Sequence, residues 1–106
     1  YKEEQYLWIG NGYGVSRMHI PSRSFKNYRF KDQKGNTLTG TVVRCFFRDS
    51  NDILWITTQN GLVQIDGKTQ TVFKPDPSDS LAIPDNITMD VLEDFNGNLW
   101  AATSGE

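Results

Sequence analysis

This sequence has few of the residues that build disulfide frameworks and metal centres. Cys45 is the only cysteine, so an internal disulfide framework is excluded, and one histidine, His19, leaves no room for the usual zinc ligand sets. No apolar run approaches the ~20 residues needed to span a bilayer, so this segment is not expected to insert into a membrane. The net charge is only -2, which gives no bulk electrostatic case for nucleic acid. Since the chain starts with Tyr1 rather than methionine, we expect an excerpt or a processed product of a longer protein.

The sequence is organised around an internal repeat. A Leu-Trp pair occurs at residues 7–8, 54–55 and 99–100, so the pairs lie 47 and then 45 residues apart. In both complete copies a glycine follows seven residues after the leucine, and a branched apolar residue comes next. Self-similarity at a long, nearly constant period indicates a repeat architecture.

Composition and turn signals favour β-structure. The 106 residues include 9 Gly, 4 Pro and 13 aromatic residues, and short apolar runs are separated by Asn-Gly and Asp-Gly turns. Short, regularly spaced strands are typical of sandwiches, barrels and propellers. The long repeat period selects the propeller.

The order of elements predicts about two four-stranded antiparallel blades in a permuted frame. The predicted strands, in chain order, are 6–11, 15–20, 25–30, 41–48, 53–58, 62–66, 71–74, 87–93 and 99–103. We therefore predict an all-β, partial β-propeller over residues 1–106. Its repeats cover about 6–52 and 53–98, and a third repeat starts at 99–106.

The strands of this repeat are predicted to be packed on both faces. The Leu-Trp-Ile strand is apolar on both sides, and residues 41–48 also mix apolar residues across their faces. A half-exposed antiparallel strand would instead alternate apolar and polar residues. We expect the three tryptophans to pack between blades, with ligand stacking as the alternative.

The repeated segments resemble a known family. Asp49 and Asp94 each stand five residues before a Leu-Trp pair, and an apolar run precedes each aspartate. This pattern, over residues 45–62 and again over 91–103, resembles the two-component regulator propeller repeat. Residues 79–86 also look like the linker between blades in that family.

The resemblance implies a role in sensing. In that family such repeats form the periplasmic sensor region of membrane histidine kinases, including the Bacteroides-type hybrid systems that sense oligosaccharides. The expected function is therefore ligand binding and signal transduction within a parent protein, with no catalytic residue, metal or cofactor in this chain. Two alternatives stay open, namely blades of a secreted propeller glycosidase or lyase, and a structural interaction scaffold.

Three loop residues are the candidate ligand contacts. Tyr13, Gln59 and Asn60 lie on the loops that follow the Trp strands. Aromatic and polar groups on such loops are natural contacts for a glycan, and the expected partner is an oligosaccharide bound through the parent protein.

Other patterns that suggest chemistry have simpler explanations. Asp94, Asn96 and Asn98 have the spacing of a calcium loop, but the sixth position is Leu99 instead of glycine, and Asp49 starts a similar failed loop. Both segments are predicted to be turns in which the aspartate bonds backbone N–H groups. His19 is predicted to be an exposed, hydrogen-bonded histidine instead of a member of a catalytic triad.

The separation of basic and acidic segments and the small number of repeats together predict self-association. Residues 17–34 carry six Lys or Arg against one Asp, whereas residues 75–94 carry six acidic residues and no basic one. The basic segment interleaves Phe25, Tyr28 and Phe30, as a single-strand nucleic-acid platform could, but an outer blade strand gives the same pattern. Two repeats cannot bury both outer faces, so we expect contacts with neighbouring blades or other copies. Two solvated faces of opposite charge are the alternative interpretation.

Overall fold

The computed structural model describes residues 1–12, 14–32, 34–38 and 41–104, and these residues form antiparallel β-structure. In chain order the strands are β1 Lys2–Glu3, β2 Tyr6–Asn11, β3 Gly14–His19, β4 Ser24–Arg29, β5 Val43–Arg48, β6 Leu54–Thr58, β7 Gly61–Asp66, β8 Thr69–Phe73, β9 Thr88–Glu93 and β10 Leu99–Thr103. The predicted all-β class is confirmed. In the described ranges, no helix is long and apolar enough to cross a membrane.

The strands form three sheets in sequence order. The first sheet is β1-β2-β3-β4, the second sheet is β5-β6-β7-β8, and the third sheet is the hairpin β9-β10. All neighbouring strands are antiparallel. Four-stranded antiparallel sheets that follow one another along the chain are the blades of a propeller-type fold.

The sequence period and the sheets are offset by one strand. The permuted frame is confirmed: the predicted strand at 41–48 begins at Val43, pairs with β6 and opens the second sheet. The same holds for β9, which pairs with β10. The short strand β1 was not predicted, and it completes the first sheet by pairing Lys2 with Leu7.

The core lies between the first and second sheets. Trp8 and Val15 of the first sheet form one apolar cluster with Leu54, Ile56 and Val63 of the second sheet. Phe30 and Leu38, on the connection between the sheets, also belong to it. Burial of this apolar area, at roughly 25 cal/mol per Å², favours the packing of one blade on the next.

The third sheet packs on the other face of the second sheet. The hydroxyl of Thr57 donates to the carbonyl of Met89 at 3.4 Å, and Ser50 donates through its backbone N–H and its hydroxyl to the Glu93 carboxylate. Val91 is buried at this contact. Strand β6 is therefore covered on both faces, as predicted.

The outer copies of the Trp strand are less covered than predicted. Ile9 in β2 is 41% exposed, and Trp100 in β10 is 62% exposed. In the described chain each of these strands has a sheet packed on only one side. Only in the central copy are the leucine and the isoleucine positions, Leu54 and Ile56, both fully buried, with Trp55 half-buried between them.

Candidate ligand-binding face

The turns that follow the Trp strands meet the connections between sheets at one edge of the molecule. Four short segments form this edge, which we call the turn face: residues 11–12, 41–42, 59–60 and 86–87. The backbone N–H of Gln59 donates to the Val42 carbonyl at 3.0 Å, and the N–H of Gly61 donates to the Asn86 carbonyl at 2.7 Å. Each turn is thus fixed by the connection that enters the next strand pair.

Two threonines anchor the turn at 59–60. The Thr88 hydroxyl accepts from the Thr58 backbone N–H at 2.9 Å and lies 3.1 and 3.2 Å from the carbonyls of Thr58 and Gly61. The Thr58 hydroxyl donates to the Gly61 carbonyl at 2.6 Å and accepts from the Asn60 N–H at 2.9 Å. Both threonines are buried, so these bonds hold the turn rigidly against the third sheet.

The predicted ligand contacts are only partly within the described residues. Gln59 is exposed at the tip of the turn, and Asn60 is half-buried beside it. The Asn60 side-chain oxygen accepts a 2.8 Å hydrogen bond from Lys74 Nζ, a neighbour that sequence reasoning missed. Tyr13 lies outside the described residues. The structure therefore brings Gln59 and Asn60 together and adds the Lys74 ammonium group to them.

A cleft opens between β2 and β5 beside the turn face. It encloses about 570 Å³ and is lined by Trp8, Asn11, Thr41, Arg44 and Phe46, among others. Thr41 is buried, and within the described ranges its hydroxyl has no hydrogen-bond partner. Leaving a buried hydroxyl without a partner costs about 1–3 kcal/mol, so Thr41 lowers the stability of the wall of this cleft.

Close approach of the two sheets sets the width of this cleft. A Cβ added to Gly10 would lie 2.7 Å from the Cβ of Val43, so only glycine fits there. No local sequence signal indicates this contact, because it joins residues of different sheets that lie 33 positions apart in the chain. The cleft was therefore missed by the sequence analysis.

The aspartate turns have a structural role. Asp49 Oδ1 accepts from the backbone N–H groups of Asn51 and Ile53, and Asp49 Oδ2 accepts from Trp55 Nε1 at 2.8 Å. Burial acts to raise the pKa of Asp49, but the hydrogen bonds from Trp55 and the two backbone groups outweigh it and leave this pKa below its usual value. The prediction that this aspartate bonds backbone groups is confirmed.

The same turn recurs in the third sheet. Asp94 Oδ1 accepts from the N–H groups of Asn96 and Asn98, and its Oδ2 accepts from Trp100 Nε1 at 3.0 Å. The indole bond is the main reason that the pKa of Asp94 is lowered. These carboxylate oxygens are engaged by N–H donors, and the described residues hold no group of three or more metal-ligating side chains.

In the first sheet a glutamate takes this place. Glu3 Oε1 accepts from Trp8 Nε1 at 3.2 Å, and Glu3 Oε2 accepts from Arg48 Nε at 2.9 Å. The hydrogen bond from Arg48 lowers the pKa of Glu3 against the opposing effect of burial. This ion pair ties the first sheet to β5 of the second sheet.

The remaining sequence candidates are explained by packing. His19 Nδ1 lies 2.7 Å from the Ser22 hydroxyl and Nε2 lies 3.4 Å from Gln5 Oε1, so neither ring nitrogen faces a carboxylate. Phe30 is fully buried in the core, and the Tyr28 ring lies 5.5 Å from that of Trp8. The basic segment is thus an outer blade strand, and its aromatic residues do not form one exposed stacking platform.

The two segments that contain the aspartate turns match a known family. Residues 37–60 and 82–105 each match the family model for the two component regulator propeller. The chain carries two-component regulator propeller repeats. Each match spans the first strand of a sheet, the aspartate turn and the Trp strand, which are β5–β6 in one case and β9–β10 in the other.

Solved structures support the propeller-type fold. The chain matches two structures from B. thetaiotaomicron, described as the extracellular domain of a one component system, BT4673, and of a hybrid two component system, BT4673. The TM-scores are 0.72 and 0.70, the identities are 19% and 22%, and both matches cover 93% of this chain. The chain spans only 13% of the length of either structure. No curated protein matches it.

Proposed function

We propose that this chain is part of the extracytoplasmic ligand-sensing region of a two-component sensor, and that it acts by binding an oligosaccharide and not by catalysis. The observation that carries the proposal is the pair of regulator-propeller repeats at residues 37–60 and 82–105. The structural relatives described as extracellular domains support an extracytoplasmic, periplasmic location.

The turn face supplies the groups that such a ligand needs. Sugars present hydroxyl groups, which pair with amides and ammonium groups, and Gln59, Asn60 and Lys74 offer these side by side. The Thr58–Thr88 network fixes the backbone beneath them, so little conformational entropy is lost on binding. Tyr13, on the equivalent loop of the first sheet, is proposed as an aromatic contact.

Binding is tested on the full-length gene product that contains this chain. A glycan array identifies a binding oligosaccharide, and calorimetric titration then compares wild type with Gln59→Ala and Asn60→Ala. We expect each variant to bind about tenfold more weakly, which is the effect of losing one hydrogen bond to a buried ligand group. Tyr13→Ala is titrated in the same way.

The matched control is Lys68→Ala. Lys68 lies in the turn between β7 and β8, at the opposite end of the second sheet. This variant should bind as wild type does. Unchanged affinity in all three turn-face variants would reject these residues as contacts, and the absence of any binding glycan would favour a purely structural scaffold.

A further inference from the structure

A second pocket lies on the first sheet, away from the turn face. It encloses about 290 Å³ and is lined by Tyr6, Arg17, His19, Ser24, Phe25 and Lys26. His19 is the last residue of β3 and Ser24 the first of β4, so the pocket sits near the turn at 20–23. The turn face lies at the other end of these strands.

Two cations stand side by side in this pocket. Arg17 of β3 is directly opposite Lys26 of β4. The described ranges contain two ion pairs, and Arg48 makes both of them. Within these ranges, therefore, neither Arg17 nor Lys26 has a carboxylate partner. Like charges at opposite positions of neighbouring strands repel each other, and a bound anion would remove that repulsion.

Aromatic rings hold both cations in place. The Arg17 guanidinium lies 4.4 Å from the centre of the Tyr6 ring, and Lys26 Nζ lies 5.2 Å from the centre of the Tyr28 ring. Such contacts orient a cation without neutralising its charge. The pocket is therefore preorganised and positive.

The second sheet shows that the repeat does not need these charges. At the matching positions it pairs Gln64 with Thr71, where the first sheet pairs Arg17 with Lys26. It also pairs Asp66 with Thr69, where the first sheet pairs His19 with Ser24. The second sheet thus has no cation at these four positions, so the cations are a specific feature of the first sheet.

We propose that this pocket binds the oxyanion of a small ligand, a carboxylate or a sulfate group. The Arg17 guanidinium offers paired N–H donors that match such a group, and Lys26 supplies a second positive charge. The Ser24 hydroxyl lines the same pocket and can act as a further donor. The site goes beyond the proposed sensing at the turn face and does not depend on it.

The first test is calorimetric titration of the full-length gene product with three probes at constant ionic strength. The probes are D-glucuronate, inorganic sulfate and neutral D-glucose. We expect glucuronate or sulfate to bind and glucose not to bind at this pocket. Tighter binding of glucuronate identifies a carboxylate ligand, and tighter binding of sulfate identifies a sulfated one. Binding of neither anion overturns the proposal.

The second test uses the residues that the second sheet has at these positions. Arg17→Gln and Lys26→Thr should each weaken binding of the better anion by about tenfold or more, because each removes one charged contact. The control is Lys34→Gln, which removes a charge from the loop that follows Phe30 and should leave the affinity unchanged. The anion should also raise the melting temperature of wild type but not of the two pocket variants. Equal affinity in the pocket variants, or an equal loss in the control, would overturn the assignment.

Discussion

The indole N–H of Trp55 donates a 2.8 Å hydrogen bond to Oδ2 of Asp49, six residues earlier in the chain. The other carboxylate oxygen of Asp49 closes the turn by accepting two backbone N–H groups. One side chain thus fixes both the turn between β5 and β6 and the orientation of the tryptophan that packs between blades. Asp94 and Trp100 repeat the arrangement at 3.0 Å.

Replacing Asp49 with alanine should destabilise the fold. Asp49 is only 7% exposed, so Asp49→Ala leaves buried N–H donors without partners, and we expect a loss of about 2–3 kcal/mol in the free energy of unfolding. Asp94→Ala is the matched control, and its effect should be smaller because Trp100 is exposed and water can replace the lost bonds. Urea denaturation measures both. Equal losses in the free energy of unfolding for the two variants would contradict the explanation that burial makes Asp49 the more important residue.

The Asp49 turn also makes stability depend on pH. Because its pKa is lowered in the folded state, the ionised carboxylate stabilises the fold at pH values above its unfolded pKa of about 4. This contribution is lost as the pH falls through the folded pKa. We expect the difference in unfolding free energy between wild type and Asp49→Asn to be largest near neutral pH and to shrink below about pH 4. A difference that stays constant over this range would show that Asp49 does not titrate differently on folding.

The strand order could be predicted from the sequence because its signals are local. The Leu-Trp pairs, the aspartate turns and the Asn-Gly turns all recur at fixed offsets, and each turn is closed by residues within the same short segment. The position of Gln59 and Asn60 at the tip of a turn follows from the same repeat. These features need no knowledge of the tertiary structure.

The features that were missed depend on contacts between distant residues. Strand β1 has two charged residues and no apolar pattern, and Glu3 is held by Arg48 from another sheet. Leu38 lies in a polar loop, yet it is buried because its N–H bonds the Phe30 carbonyl and returns the chain to the core. Lys74, just after β8, contacts Asn60 in the turn between β6 and β7. The Glu3–Arg48 pair is set by how the blades pack, and the other two contacts are set by how a loop or a strand end folds back on nearby residues. One sequence does not reveal either.

Gly61 is required at the start of β7. Its φ is +108°, and an added Cβ would lie 2.7 Å from the Phe73 carbonyl oxygen, so Gly61→Ala combines backbone strain with a steric clash. We expect a loss of about 2–3 kcal/mol. Gly67 has φ +59° and open space around it, so Gly67→Ala should lose only about 1 kcal/mol. Thermal and urea unfolding compare the two variants, and equal losses would rule out the clash with β8.

The 106-residue chain by itself should self-associate. Trp100 and Leu92 form an exposed apolar face on the third sheet, and Phe25 with Ile9 leaves a second one on the first sheet. Inside the chain, the Trp8 side of one blade is buried against the Leu54 and Ile56 side of the next, so the open faces have the composition of surfaces that pack together.

Sedimentation velocity over a range of concentrations measures this association. We expect the average mass to rise with concentration, and Trp100→Glu to lower it while the circular dichroism spectrum stays unchanged. Lys68→Glu puts the same new carboxylate on a turn outside both faces and should associate as wild type does. The two faces come from opposite ends of the chain, so the contact is head-to-tail and open, and it should continue into longer assemblies instead of stopping at a dimer. A monomer at every concentration would show that the exposed faces are stable in water.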